Sequence, residues 1–423
     1  MSYATTTVRF GTKRILVTQP NQRQYGHLGL EMVMSLAHAR REGLDVCFVR
    51  SSLLGSGLFE LESPEVRVLR PAHMLHGVLR GCLSWRKVHD RLIGWREQVE
   101  REVAREASRY VDDGRMPDEI RNGLRGVRRR LRSSIDQLEY QRRKDELYLE
   151  RRLLREPVVV RLQPAAHEAA AAEARAHGIH PDAPLVCIHA REDGYKRGQE
   201  IHDTKPHVHR DDTVRNVRIE SYLPAVDELL RRGYTVVRLG DATMMPLSHP
   251  GVIDLATSPQ RTNLLEIYCL LRSRLVIASE SGLVGVTYVT NTPSLFVNCT
   301  TPIATYPIRA PGLFLPKAVV DRRDGRRLTG IDLLTLDYHA HFRDSRRFEY
   351  VDNSPEQILD ATREMLDWVT GQWTESPGQR GYHEAAVAAA EQLREQSEHV
   401  RKWGLHEGFL GDGRIARSGL TLH

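Results

Sequence analysis

The chain has 423 residues, of which 40% are hydrophobic and 27% are charged. This usage is ordinary for folded domains, so the composition excludes disordered and collagen-like proteins. The net charge of +6 suggests a nucleic-acid partner. However, residues 121–155 hold 12 basic and five acidic side chains, a net charge of +7, so the other residues sum to −1. Because few aromatic residues interleave with this run, we predict no nucleic-acid partner. The run is either a solvated helical surface or a surface for an acidic partner.

The sequence contains no run of 18 apolar residues, so we expect no transmembrane segment. Its first residues lack the apolar core of a signal peptide, and its five cysteines are scattered without a CxxC pair. These features favour a cytoplasmic protein with reduced thiols.

Strand and helix patterns alternate from the start of the chain. An apolar run at 14–19 predicts a strand, and 27–42 predicts a helix. Further strands are predicted at 44–50 and 66–69. This order is typical of a parallel α/β sheet.

Residues 85–155 interrupt that pattern with polar sequence in which apolar residues recur at helical spacing. Arginine and glutamate alternate there as they do on solvated helix faces. We predict a helical hairpin inserted into the first domain. The sequence leaves the oligomeric state open, including a dimer formed through this insertion.

Alternation resumes after the insertion and predicts a doubly wound parallel sheet. Its predicted strands are 184–189, 234–239, 252–254, 275–278 and 294–297, and its predicted helices are 164–178, 221–232, 263–272 and 282–290. We therefore predict an N-terminal domain at 1–165 and a second α/β domain at 166–370. The last part, 371–423, should hold a helix at 383–402 and a mobile glycine-rich tail.

Ligands of open parallel sheets bind beyond the carboxyl ends of the strands. The polar residues found at or after predicted strand ends are His189, Arg191, Arg238, Gly240, Asp241, Ser279, Glu280, Ser281 and Gly282. Ser281 and Gly282 open a helix, where free N–H groups suit a phosphate, although a plain helix cap fits them too. Arg191 could clamp a phosphate or form a surface salt bridge. P-loop and GxGxxG motifs are absent, which argues against those nucleotide-binding classes.

The loop 193–216 is crowded with basic residues, among them Lys196 and Arg215, and Asn216 ends it. We interpret it either as a mobile lid over a phosphorylated ligand or as a solvated loop. Its histidines lack a second ligand pair with zinc spacing, so we predict no metal site.

Five ordered segments carry a family resemblance: 189–191, 215–225, 237–241, 252–256 and 279–283, together with the early turn at 25–28. They resemble glycosyltransferases related to the fucosyltransferase clan. That resemblance implies a GT-B fold, with two Rossmann-like domains facing a cleft. It implies a hexosyl- or deoxyhexosyltransferase that takes a nucleotide diphosphate-sugar, with GDP-sugar favoured, and needs no cofactor.

Within this resemblance the second domain would bind the donor. Arg191 would clamp the diphosphate, and Ser281 and Gly282 would hold phosphate through backbone N–H groups. Asp241 would lie near the base or ribose, and His189 near the sugar or phosphate. The other predicted donor contacts are Lys196, Arg215, Asn216, Arg238, Gly240, Ser279 and Glu280. Transfer would be inverting and metal-independent.

The first domain would present the acceptor, a small natural product or a glycan, near the turn at 25–28. His27 and Glu31 are the candidate general bases. Glu280 departs from the family pattern, since a carboxylate there repels a diphosphate unless it pairs with an arginine or faces the ribose. A sugar-nucleotide epimerase or isomerase and a non-catalytic scaffold remain as alternatives.

Overall fold

The computed structural model describes residues 4–10, 13–20, 25–49, 56–70, 154–193, 211–396 and 411–420. The predicted insertion at 85–155, apart from its last two residues, lies outside them, as do Lys196 and most of the basic loop. The predictions for those segments stay predictions.

The strands in the described residues are β1 Ala4–Phe10, β2 Lys13–Gln19, β3 Asp45–Phe48, β4 Leu61–Glu62, β5 Val68–Leu69, β6 Arg161–Leu162, β7 Leu185–His189, β8 Thr235–Arg238, β9 Val252–Asp254, β10 Ser273–Ser279, β11 Ser294–Cys299, β12 Gly312–Pro316, β13 Ala318–Asp321, β14 Phe348–Val351 and β15 Arg414–Ile415. The helices are α1 Tyr25–Glu42, α2 Pro164–Ala176, α3 Leu223–Arg231, α4 Asn263–Arg272, α5 Leu283–Thr290, α6 Pro302–Thr305, α7 Leu336–His341, α8 Pro355–Val369, α9 Pro377–Gln396 and α10 Arg417–Leu420.

The first sheet has the order β1-β2-β3-β5. Strands β2, β3 and β5 are parallel, and β1 pairs antiparallel with β2. Helix α1 connects β2 to β3 and buries Leu28, Met32 and Leu36 at a spacing of four residues. Val33, Met34 and Ala37 are buried as well, so α1 is enclosed on most of its sides.

The second sheet has seven parallel strands in the order β15-β12-β11-β10-β7-β8-β9. From β7 the chain adds β8 and β9 on one side and then β10, β11 and β12 on the other. This is the Rossmann order, and its direction reverses between β7 and β10. Every residue of β7 and β11 is buried, because helices cover both faces of the sheet.

Each sheet forms a unit with its helices; the first sheet is parallel except for β1, and the second is parallel throughout. The two units confirm the predicted α/β fold class with two Rossmann-like sheets. Helix ends follow local sequence signals. The Thr262 side chain caps α4, and Ser354 forms a capping box with Gln357 at the start of α8. Gly178 and Gly233 follow α2 and α3 with φ near +80°, a conformation that favours glycine.

The two units touch where α1 crosses α5, at four glycines. A Cβ atom at Gly26 would lie 2.6 Å from the carbonyl oxygen of Gly282, and one at Gly29 would lie 2.9 Å from that of Gly285. Only glycine permits so close an approach of two helices. A single hydrophobic cluster continues through this contact from Leu16 of the first sheet into the second unit.

The segment 411–420 completes the second sheet. Strand β15 pairs with β12, and Ile415 is fully buried. The buried amide of Gln379 donates to Glu364 Oε1 and to the carbonyl oxygen of Ile415, both at 2.7 Å. Glu364 Oε2 also accepts from the N–H of Arg417 at 2.7 Å. The expectation of a mobile tail is therefore wrong for these ten residues.

None of the described helices combines the length and the apolar composition that a membrane span requires. Four cysteines lie in the described part of the chain, Cys47, Cys187, Cys269 and Cys299, and all four are buried and unbridged. Burial raises the pKa of the Cys47 thiol to about 11, so this thiol stays protonated at neutral pH.

The glycine crossing predicts that Gly285→Ala destabilises the protein. The added methyl group would collide with the carbonyl oxygen of Gly26, and such overpacking costs about 1–3 kcal/mol. Gly381→Ala is the matched control, because it also lies in a helix and a Cβ there meets no atom within 4 Å. Thermal unfolding should show a lower midpoint for Gly285→Ala only, and equal midpoints for the two variants would contradict the prediction.

Candidate functional site

The reversal of strand order between β7 and β10 brings two polar strand ends together. His189 ends β7 and Arg191 follows it, while Ser279 ends β10 and Glu280 follows it. The backbone N–H of Arg191 donates to Ser279 Oγ at 2.8 Å. In open parallel sheets this point forms the ligand crevice, so the residues predicted at these two strand ends lie in one place.

Arg191 is held in one orientation by the loop that follows. Its Nη1 atom donates to the carbonyl oxygen of Asp212 at 3.0 Å and also to Asn216 Oδ1. Burial, together with the nearby Arg215, lowers its pKa to about 10, which leaves it charged at neutral pH. Its Nε and Nη2 atoms make no hydrogen bond within the described residues. One edge of the guanidinium can therefore take a bidentate oxyanion.

Asp212, Arg215 and Asn216 support this arrangement. Arg215 Nη2 lies 2.9 Å from Asp212 Oδ2, and burial lowers the Arg215 pKa to about 10. Its Nε atom is buried without a hydrogen-bond partner among the described residues. Asn216 accepts from Arg191 and donates to Asp193, and its carbonyl oxygen accepts from Lys317 Nζ at 3.3 Å.

Side chains of both charges lie together at the switch point, the place where the strand order reverses between β7 and β10. We call this group the switch-point cluster; its members are Arg191, Arg215, Lys317, Arg343, Asp193, Asp212, Glu280 and Asp352. Lys317 is 2% exposed and donates to Asp352 Oδ1 at 2.5 Å. Among the described residues, the cluster therefore has four cations and four carboxylates.

Glu280 is one of these carboxylates, and it does pair with an arginine. Its Oε1 atom accepts from Arg343 Nη2. Its Oε2 atom accepts from the N–H and the hydroxyl of Thr300 at 2.9 and 2.6 Å. Glu280 is thus bound inside the protein, and this pairing removes the objection that its charge raised against a nearby diphosphate.

The turn at Ser281 and Gly282 leads directly into α5. Gly282 occupies the N-cap position without a side-chain cap, and Ser281 Oγ accepts from the N–H of Leu283 at 3.3 Å. The first turn of α1 lies against the same point, since Gly26 contacts Gly282. Two helix N-termini from the two units therefore meet beside the switch point, and both favour negative charge.

The two candidate bases lie on α1, one turn apart. His27 is on the first turn, and its side chain lies outside the described part of the structure. Glu31 is 2% exposed. Both remain candidates for the general base.

His189 is a neutral hydrogen-bonding group in this site. Its Nδ1 atom lies 3.0 Å from the carbonyl oxygen of Leu239, which only accepts, so Nδ1 carries the proton. Burial is the main cause that lowers the His189 pKa below 6.5. Nε2 is therefore an acceptor, and it makes no hydrogen bond within the described residues.

The structure gives Arg238 a different role from the donor contact that the sequence predicts. It is fully buried, and its Nη atoms bond Glu192 Oε1 at 2.8 Å, Asp254 Oδ2 at 3.1 Å and the Met245 carbonyl oxygen at 2.7 Å. We correct its role to a structural one, because its terminal nitrogens are occupied inside the protein.

Gly240 and Asp241 follow β8, the strand next to β7. A Cβ at Gly240 would meet the flexible end of the Met244 side chain, which would have to move to make room for it. Asp241 Oδ1 accepts from the N–H of Thr243 at 2.9 Å and from its hydroxyl. Its Oδ2 makes no hydrogen bond in the described structure, and a carboxylate at this strand end can accept from a ribose hydroxyl.

Sequence reasoning missed Lys317, Arg343, Asp212 and Thr300. A lysine inside the apolar run 312–320 is a signal that could have indicated Lys317. Arg343 gives no such signal, because it reaches Glu280 across 63 residues of sequence.

The described residues contain no group of three or more His, Cys, Asp or Glu side chains placed to hold a metal ion. The three histidines of the basic loop, His202, His207 and His209, lie outside the described residues.

No protein-family model matches the chain, and no curated protein matches it in sequence. Among solved structures, the chain is similar to the ADP-heptose LPS heptosyltransferase II of E. coli, at 13% identity over 85% of this chain and 98% of that chain, with a TM-score of 0.40. It is also similar to a family 9 glycosyl transferase from Veillonella parvula DSM 2008, at 14% identity and a TM-score of 0.30, over 49% of this chain and 53% of that chain. The second match thus spans about half of each protein.

Both of these proteins are glycosyltransferases, and neither is described as a fucosyltransferase. The relation to the fucosyltransferase clan therefore stays a prediction. Because both TM-scores are below 0.5, a proposal about function has to rest on the site.

The buried His189 predicts a loss of stability on acidification. Its pKa is lower in the folded state than the ordinary 6.5, so the unfolded chain binds the proton first as the pH falls. The stabilisation is present above pH 6.5 and is lost as the pH falls from there towards the folded-state pKa. His189→Asn keeps a donor near Nδ1 and should lose less stability between about pH 7.5 and about pH 5.5.

Thermal unfolding at both pH values measures this effect. His180→Asn is the control, since this side chain is 73% exposed, and it should follow the wild-type pH dependence. An identical acid dependence for His189→Asn and the wild type would show that the prediction is wrong.

Proposed function

We propose that the protein is a glycosyltransferase that binds a nucleotide diphosphate-sugar at the switch point of its second sheet. The observation that carries this proposal is Arg191. Arg191 is buried and oriented by Asn216, and its Nε and Nη2 atoms make no hydrogen bond to the described residues. It follows β7, the strand next to β10, which leads into the Ser281–Gly282 turn.

The residues present suit the diphosphate. Arg191 would bind it through two parallel N–H donors, and the start of α5 would add N–H groups and the positive end of the helix dipole. These charges stabilise the diphosphate as it leaves, in the role that a divalent cation has in other transferases. Asp241 would accept from the ribose, and His189 Nε2 would accept from a hydroxyl of the donor.

In the transfer step, an acceptor hydroxyl would attack the anomeric carbon of the sugar while the bond from that carbon to the diphosphate oxygen breaks. The hydroxyl proton would go to a base on α1, for which His27 and Glu31 are the candidates. The contact of Gly26 with Gly282 supports this placement, because it sets the first turn of α1 beside the donor turn.

The finer specificity is proposed from the family resemblance alone. It favours a GDP-sugar, a hexosyl or deoxyhexosyl group, and an inverting, metal-independent reaction. The acceptor would be a small natural product or a glycan bound on the first unit.

A screen with GDP, ADP, UDP and dTDP tests the donor site. At least one of them should raise the unfolding midpoint, because a ligand that binds only the folded state stabilises it. Indifference to all four would overturn the proposal and favour a non-catalytic scaffold.

Arg191→Ala should weaken binding of the best nucleoside diphosphate by roughly 10- to 100-fold, as expected for losing a charge-assisted bidentate contact. Isothermal titration calorimetry measures the change. Arg218→Ala is the matched control, since that side chain is 84% exposed, and it should bind as the wild type does. Unchanged affinity in Arg191→Ala would show that Arg191 does not bind the diphosphate.

The reaction class is tested by incubating the enzyme with a nucleotide-sugar alone and then with a candidate acceptor. A transferase should release the nucleotide diphosphate rapidly only when an acceptor is added. Conversion of the donor to an epimer without any acceptor would favour an epimerase instead. Chromatography of the nucleotide products distinguishes the two outcomes.

A further inference from the structure

Arg343 connects the segment between α7 and β14 to the switch point. Its guanidinium donates from Nη2 to Glu280 Oε1, from Nη1 to Asp212 Oδ1 at 3.1 Å and from Nε to Thr300 Oγ1 at 3.2 Å, and it lies over the Phe342 ring. The side chain is 13% exposed. Arg343 is therefore fixed from three directions beside Glu280.

The backbone of Arg343 is held in an uncommon conformation. Its φ is +64°, which is unusual for any residue except glycine. Its N–H donates to the Tyr350 hydroxyl at 2.6 Å, and its carbonyl oxygen accepts from the N–H of Asp211 at 2.8 Å. Strained residues that are held on both sides cluster at functional sites, because the surrounding structure has to impose them.

Glu280 explains why a cation is needed at this position. Glu280 is the residue directly before Ser281, and Thr300 holds its carboxylate in place through two hydrogen bonds. An uncompensated carboxylate next to the Ser281–Gly282 turn would repel a diphosphate. Asp212 adds a second negative charge within contact of Arg343.

We propose that Arg343 is a positioning residue for donor binding: it neutralises Glu280 and so makes the Ser281–Gly282 turn able to accept a diphosphate. This inference rests on the proposed function and names a residue that the family resemblance does not include. Arg343 acts through Glu280 and does not itself touch the donor.

Three variants test this role: Arg343→Gln, Glu280→Gln and the double variant. Titration calorimetry would measure binding of the tightest of GDP, ADP, UDP and dTDP, and of the matching nucleoside. Arg343→Gln should weaken diphosphate binding about tenfold or more, as expected for one uncompensated charge at an effective dielectric constant near 20. Its nucleoside affinity should not change, since a nucleoside carries no phosphate.

The other two variants separate charge compensation from a structural role. Glu280→Gln should bind the diphosphate at least as tightly as the wild type. The double variant should bind like the wild type, because removing both members of the ion pair leaves its net charge at zero. This second comparison keeps the proposal testable even where Arg343→Gln alone, with Glu280 unpaired, does not fold.

Arg322→Gln is the matched control, because Arg322 directly follows β13 in an exposed ion pair with Glu349, and it should bind as the wild type does. The inference is overturned if Arg343→Gln binds the diphosphate normally, if it loses diphosphate and nucleoside affinity equally, or if the double variant binds the diphosphate more weakly than the wild type. A wild-type protein that binds none of the four nucleotides refutes the proposed function itself.

Discussion

The close crossing of α1 and α5 is the constraint on which the geometry of the candidate site depends. Because Gly26 and Gly29 face Gly282 and Gly285, the two backbones approach within a distance that any side chain would prevent. The crossing sets the N-terminus of a helix from each unit at the reversal point of the second sheet. Further contacts join the two units, such as the hydrogen bond from Asn291 Nδ2 to the carbonyl oxygen of Val158, but this crossing is the one that lies beside the candidate phosphate turn.

The sequence predicts the centre of the second sheet well for a physical reason. Strands buried on both faces appear as continuous apolar runs, and the predicted strands at 184–189 and 294–297 coincide with the buried β7 and β11. The edge strand β9 is also predicted with its observed bounds, but two other edge strands are missed. Strand β1 is rich in threonine and lacks an apolar run, and β15 is two residues long, so only tertiary pairing makes them strands.

The candidate site likewise divides into features that the sequence predicts and features that it does not. The rule that ligands bind beyond strand ends places Arg191 and Ser279 together from sequence alone, and the structure brings them within a hydrogen bond. The rule cannot show which charges are already paired. Arg238 and Glu280 follow the same pattern as Arg191, yet their partners Asp254 and Arg343 occupy them, and those partners are set by the fold.

The late position of β15 has a consequence for how the protein is made. Its neighbour β12 is synthesised about a hundred residues earlier, as the sequence numbers of Pro316 and Arg414 show. Until the ribosome has delivered β15, that side of β12 is an open sheet edge with unpaired backbone groups, which favours pairing with other chains. A chain that stops before Arg414 would therefore leave Leu313 and Phe314 of β12 without the strand that pairs with them.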